Sequence, residues 1–368
     1  MIKVLVVDDS ALVRKLFGRV LAAEKEFEVA LARDGFEALE QLESFQPDVI
    51  TLDINMPQMN GLECLDRIMV QRPCPVVMVS TLAAEGADAT LDALRLGAVD
   101  FVAKPTGTVS LHLDEFAPAF IAKIRAAAAS RVPTAKRLRE RVQLKTAAVR
   151  GRAAEPKSAR TTAAPVDLGP GNGIVLVGSS TGGPPALEAL LVPLPRTFPW
   201  PIVVAQHMPA SFTHTLAKRL NGICALEVVE VSQPMPLRAG CVYIGKGDTD
   251  VVISLRPAGL IAMAAPPRAS YLWHPSTDRL VLSALEHVPA NQLIGILMTG
   301  MGNDGATAMT ELKSKGGQTI AESEETAVVW GMPGELVRAG GASWVMPLQK
   351  IADQLQKLVP TNAAGSQD

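Results

Sequence analysis

A chain of 368 residues exceeds one ordinary domain, and its 48% apolar content lets each of two units bury a core. The net charge of -2 speaks against a general nucleic-acid binder, and no apolar run approaches the roughly 20 residues that cross a bilayer, so membrane insertion is not expected. Cys64, Cys74, Cys224 and Cys241 form no CxxC pair and no signal-like leader precedes the first apolar run, which together predict a cytoplasmic protein.

Residues 1–130 alternate short apolar runs (3–7, 28–31, 48–52, 76–79 and 100–102) with amphipathic stretches such as 11–23, 35–43 and 87–96. Regular βα alternation predicts a doubly wound parallel sheet with helices on both faces, and ligands at the carboxyl ends of its strands. Asp8 and Asp9 end the first run and Asp53 the third; Ser80 follows the fourth, and Lys104-Pro105 the fifth. Three carboxylates brought together repel unless a hard cation neutralises them, and an all-oxygen ligand set suits Mg²⁺. With a hydroxyl and an ammonium at the same edge, such a pocket can hold a phosphoryl group on a carboxylate.

The ordered elements VLVVDDSALVR, DINMPQMNG, VVMVS and FVAKP resemble the response-regulator receiver domain over residues 1–130. That resemblance implies a flavodoxin-like fold in which Asp53 accepts the phosphoryl group. Asp9, Asp53 and the Asn55 carbonyl would hold Mg²⁺ with Asp8 in support, and Ser80, Phe101 and Lys104 would relay the switch.

Residues 131–170 change character, being rich in Ala, Arg, Lys and Pro and poor in large apolar groups, so they are predicted to be a basic, flexible linker. From 171 to 360 the βα alternation resumes, with strand candidates at 174–177, 202–205, 226–231, 242–244, 251–254, 261–264, 293–298 and 319–321. The middle strands are too close together for helices between them, so a small antiparallel portion is expected within a mainly parallel α/β unit. A polar tail, 361–368, is predicted to be disordered.

Gly178-Ser179-Ser180-Thr181-Gly182 has the G-x-S-x-G spacing of a strand-to-helix elbow that exposes a serine. By itself it fits a phosphate cradle or a capped helix start equally well. His207 ends the next buried strand and Pro209 stops the chain behind it, whereas His214 falls on the following helix. Asp304 lies in a glycine turn after the strand at 293–298. Ser, His and Asp, each beyond a strand, are the parts of a nucleophilic hydrolase, but their order differs from the Ser–Asp–His order of α/β-hydrolases. A rival lies in Gly300-Met301-Gly302-Asn303-Asp304-Gly305, which matches the dinucleotide pattern G-x-G-x-x-G with Glu322 ending the next strand. A nucleotide there would meet the Asp304 carboxylate near its pyrophosphate, and Ser180 and His207 would go unexplained. A receiver-driven transcription factor is disfavoured because no helix-turn-helix pattern is evident.

The segments GSSTGGPPALEALL, VVAQHMPASFTHTLAKRL, ILMTGMGNDGATAM and VVWGMPGE, in that order behind a receiver, resemble the chemotaxis protein-glutamate methylesterases. The resemblance implies Ser180 as nucleophile, His207 as general base and acid, and Asp304 as the group that orients it. Thr181 and Met301 would supply the oxyanion-hole N–H groups, with no cofactor in this site. It further implies methyl-accepting chemoreceptors as substrate, glutamine deamidation by the same chemistry, and a chemotaxis histidine kinase as phosphoryl donor. Two departures from the family pattern stand out: Gly245-Lys246-Gly247 replaces an Ala-Pro-Gly, and Ser276-Thr277-Asp278 a Ser-Val-Asp.

Overall fold

Each apolar run becomes a strand, and a polar residue before each of four helices becomes its cap. The computed structural model describes residues 1–81, 84–104, 113–130 and 172–359; the predicted linker and tail lie outside them, as does Pro105. The chain divides into two compact units, Met1–Ala153 and Ala154–Asp368.

In the first unit, β1 (Ile2–Val7), β2 (Phe27–Ala32), β3 (Val49–Asp53), β4 (Val76–Ser80) and β5 (Asp100–Ala103) form a parallel sheet ordered β2-β1-β3-β4-β5. The helices α1 (Ala11–Ala22), α2 (Gly35–Ser44), α3 (Gly61–Gln71), α4 (Ala84–Leu96) and α5 (Leu113–Ala128) alternate with the strands. Ser10, Asp34 and Asn60 cap α1, α2 and α3 by accepting the N–H three residues on, which satisfies a donor that each helix start would otherwise leave open. Strands β3 and β4 are buried along their whole length, as expected for strands covered on both faces.

In the second unit, β6 (Ile174–Ser179) and β7 (Ile202–Gln206) lie at the middle of a seven-stranded parallel sheet. The other strands of this sheet are β8 (Glu227–Val231), β10 (Cys241–Gly245), β13 (Leu293–Leu297), β14 (Gln318–Glu322) and β15 (Trp344–Met346), and the order is β15-β14-β13-β6-β7-β10-β8. The antiparallel portion forms its own sheet: β11 (Asp250–Arg256) and β12 (Gly259–Ala265) make a hairpin, with the two-residue β9 (Met235–Pro236) on its edge. Helices α6 (Gly183–Leu191), α7 (Ala210–Ile223), α8 (Thr277–Leu285), α9 (Ala306–Ser314), α10 (Met332–Arg338) and α11 (Leu348–Leu358) complete the unit. The very short strands β9 and β15 carry no readable alternation of their own, and the sequence pattern passes over them.

Strand order places the ends of β13, β6 and β7 side by side, because β6 pairs with β13 on one flank and β7 on the other. The residues after these three strands therefore emerge at one edge of the sheet. The four cysteines are unpaired and buried, and no helix among the described residues is long and apolar enough to cross a membrane.

Leu176 lies in central β6, fully buried in the same core cluster as Leu280 and Val281 of α8. Leu176→Ala should cost about 2–5 kcal/mol through lost burial and a residual cavity. Urea unfolding followed by tryptophan fluorescence reads this directly, since Trp200, Trp273, Trp330 and Trp344 all lie in the second unit.

Candidate active site

The parallel order β1-β3-β4-β5 brings Asp8, Asp53, Ser80 and Lys104 to one end of the first sheet. Asp8, Asp9 and Asp53 each offer a carboxylate oxygen within 4.8 Å of the others; Asp8 and Asp53 are buried and Asp9 is exposed. Lys104 Nζ stands 2.9 Å from Asp8 Oδ2 and 2.7 Å from Asp53 Oδ2, so one ammonium faces two carboxylates. Burial pushes the Asp53 carboxyl up to about 6; the Lys104 hydrogen bond opposes the rise, Asp8 adds to it, and the Asn55 N–H opposes it. Burial lowers the Lys104 ammonium, but the two carboxylates outweigh that and raise it. The Ser80 hydroxyl donates to the Gly86 carbonyl at 3.1 Å and not to Asp53. The Phe101 ring is buried, with Lys123 Nζ 5.2 Å from its centroid.

In the second unit Ser180, Thr181, His207 and Asp304 are all buried at the common edge of β6, β7 and β13. His207 is drawn beside the serine turn by its own N–H, which donates to the Ser179 carbonyl at 3.1 Å. Its ring Nε2 lies 2.8 Å from Asp304 Oδ2, while Nδ1 is buried and makes no hydrogen bond. Asp304 further accepts from the Ser276 hydroxyl at 2.9 Å and from the N–H groups of Thr277 at 2.6 Å and Asp278 at 3.0 Å. Burial alone would raise the Asp304 carboxyl; its bond to His207 and the backbone N–H groups of Asp278 and Thr277 outweigh that and hold it below the usual carboxylate range. His214 is on α7 with an exposed side chain, 3.6 Å from Glu230, and takes no part.

The turn carrying Met301 packs directly on the serine. Ser180 N–H donates to the Thr299 carbonyl at 3.0 Å, and a Cβ on Gly300 would stand 2.8 Å from Ser180 Cβ. Only glycine allows that approach, with Met301 the next residue along the turn. The dinucleotide-like glycines thus serve a turn whose buried carboxylate is already bonded to His207.

Several residues to which sequence reasoning assigned no role in the site complete it. Gln206 donates from Nε2 to the carbonyls of Ser180 and His207 and accepts from Ser179 Oγ, so one buried amide ties the serine turn to the histidine loop. A polar residue ending an otherwise apolar strand was its only signal. Ser276 caps α8 by accepting from Arg279 N while donating to Asp304; the polar run Ser276-Thr277-Asp278 before an apolar helix announced the cap but not its second partner. Gly247 keeps the one glycine that this loop shares with the family pattern, and the reason is steric: a Cβ there would overlap the backbone of Met208 and Ala210, immediately after His207. The neighbouring Asp248 accepts from Ala210 N–H at 3.0 Å, so this loop seats the start of α7.

Residues 4–113 match the family model described as Response regulator receiver domain, and residues 175–355 that described as CheB methylesterase. The fold and both sites thus define a response regulator whose output domain is a methylesterase domain. A protein-glutamate methylesterase/protein-glutamine glutaminase of Rhodopseudomonas palustris is 55% identical over 96% of this chain and 96% of its own. One from Rhodospirillum rubrum is 52% identical over 96% and 95%, and one from Carboxydothermus hydrogenoformans 43% identical over 97% and 99%. The chain belongs to this family of protein-glutamate methylesterase/protein-glutamine glutaminases.

Glu322, at the end of β14, accepts from Thr299 N–H at 2.8 Å and from Thr326 Oγ1 at 2.9 Å, behind the turn at Gly300. Burial pushes its carboxyl from 4.5 up to about 7, against those two hydrogen bonds. A folded-state value above the unfolded one means that stability is full below about pH 4.5 and declines as pH rises through 7. Glu322→Gln, neutral throughout, should therefore stabilise the second unit above pH 7 by on the order of 3 kcal/mol and have little effect at pH 4. Thermal unfolding across pH 4–8 checks the sign.

Proposed function

We propose that the protein hydrolyses γ-methyl esters of glutamyl residues on chemoreceptors, and deamidates glutamines there, under control of phosphorylation at Asp53. The observation that carries the reading is the imidazole of His207. Its Nε2 is taken by a carboxylate, and its unpartnered Nδ1 is buried in the segment that Ser179 and Gln206 tie to the serine turn.

In this mechanism Ser180 Oγ attacks the ester carbonyl carbon as its proton passes to His207 Nδ1. Asp304 fixes the ring through Nε2 and stabilises the imidazolium. The carbonyl π electrons move to oxygen, and the backbone N–H groups of Thr181 and Met301 receive the oxyanion; such a donor contributes on the order of 3–4 kcal/mol. Collapse of the tetrahedral species breaks the bond to methoxide, which leaves as methanol with the proton from His207. Water then attacks the acyl-serine, giving its proton to His207, and the second collapse returns that proton to Ser180 and frees the carboxylic acid. With an amide the same sequence releases ammonia.

Asp53 is the acceptor of a phosphoryl group donated by a chemotaxis histidine kinase, and the cell compartment that fits this pairing is the cytoplasm. Asp8, Asp9 and Asp53, crowded at one point, have the donor set for Mg²⁺, with the Asn55 carbonyl as a further oxygen. When bound, Mg²⁺ neutralises charge on the phosphoryl oxygens. Lys104, already on Asp53, offers a positive charge to the phosphorylated carboxylate, and Ser80 and Phe101 serve as switch residues.

Methanol release from a methyl-esterified receptor fragment tests both halves. Ser180→Ala should lower kcat by about 10³-fold or more, and Asp304→Asn by roughly 10²- to 10⁴-fold with KM little changed. Undiminished release from Ser180→Ala would remove the serine mechanism. A small phosphoryl donor should stimulate wild type; Asp53→Asn should abolish the stimulation, and so should EDTA. Stimulation that survives Asp53→Asn would place the phosphoryl group elsewhere.

A further inference from the structure

One hydrogen bond, from Nε2 to Asp304, is the polar tether of the His207 ring. A ring held at one atom can still swing about that contact, and a proton transfer needs its other nitrogen kept on line. The indole of Trp273 lies against the imidazole with centroids 5.7 Å apart and planes 13° from parallel, in the range of offset stacking. Trp273 Nε1 also borders the turn after Met301, where a Cβ on Gly302 would meet it at 3.4 Å. One flat side chain therefore touches both the base and the glycine turn of the oxyanion loop.

The indole is carried on an anchored segment. The next residue, His274, places Nδ1 2.8 Å from Asp250 Oδ1, and Ser276 N–H donates to the same oxygen at 2.8 Å. Arg279 pairs with the other oxygen of Asp250, which is fully buried. Three donors on one buried carboxylate fix the backbone just beyond Trp273, although residues 266–270 before it are exposed.

We propose that Trp273 is a positioning residue for the esterase chemistry, its π face holding the plane of the His207 ring and stabilising the imidazolium that forms as the Ser180 proton arrives. The proposal rests on the serine mechanism given above. A cation over an aromatic face is attracted by the ring quadrupole, and in this site the charge exists on His207 only after proton transfer. An interaction that strengthens on the way to the transition state raises kcat and leaves KM alone.

The test is steady-state hydrolysis of a methyl-esterified glutamyl peptide by the full chain carrying Trp273→Ala, Trp273→Leu or Trp273→Phe. Trp273→Ala and Trp273→Leu should lower kcat about 5- to 30-fold, with KM within about twofold of wild type. Trp273→Phe, which keeps a π face, should recover most of that loss. Wild-type kcat in Trp273→Ala overturns the proposal. Equal recovery by Leu and Phe also overturns it, since filling the volume would then suffice, and so does a loss confined to KM, which would make Trp273 a substrate contact. The Leu–Phe comparison stands even if the Ala variant fails to fold. Ser180→Ala in the same assay separates the two readings. Activity that survives it removes the serine mechanism and Trp273's role together; activity lost there but kept in Trp273→Ala removes the tryptophan's role alone.

Discussion

Asp304 is an anion kept inside the protein by four donors, and the second unit is arranged about it. One oxygen accepts from the Ser276 hydroxyl and Asp278 N–H, and the other from Thr277 N–H while standing on His207 Nε2. A carboxylate taken out of water costs several kcal/mol unless every lone pair finds a partner. The first turn of α8 supplies that partner set, because its N–H groups have no acceptor within the helix and its dipole favours negative charge there. The balance falls on the ionised side, as the lowering of the Asp304 carboxyl records. The acid–base role proposed for His207 needs such a constant neighbour.

That requirement propagates outward. Ser276 can donate its hydrogen bond to Asp304 only if the segment before α8 is fixed, and Asp250 fixes it through His274, Ser276 and Arg279. His207 must reach Asp304 and the serine turn together, and Gln206 and Gly247 hold its loop from two sides. The parallel sheet makes all this possible, because the neighbours β13, β6 and β7 deliver their loops to one edge.

The first unit handles buried negative charge in the opposite way. Burial pushes Asp53 up, and the one ammonium it shares with Asp8 does not offset that, whereas the donors around Asp304 pull it down. An incompletely compensated carboxylate suits the phosphoryl and cation chemistry proposed for Asp53, whereas a fully bonded one suits the constant partner proposed for His207. Burial is common to both; the donors around each decide the outcome.

Much of this was legible in the linear chain. The apolar runs ended at Asp53, Ser180 and His207 or just before them, because buried parallel strands read as continuous hydrophobic stretches and their exits as polar or glycine-rich turns. The order of motifs carried the family, and the acidic cluster could be placed because each of its members ends a strand. What lay beyond reach were contacts between residues far apart: Trp273 on His207, Ser276 on Asp304, Gly247 against Met208 and Ala210. The strands β9 and β15 were too short to show a period, and the middle strands divided between two sheets in a way their spacing did not announce. Periodicity and turn chemistry are local, so the sequence alone determined the longer elements, their order and the residues at their ends. Which of those ends meet, which nitrogen of His207 faces Asp304, and which side chains hold them there depend on strand order and loop packing, and only the tertiary structure decided them.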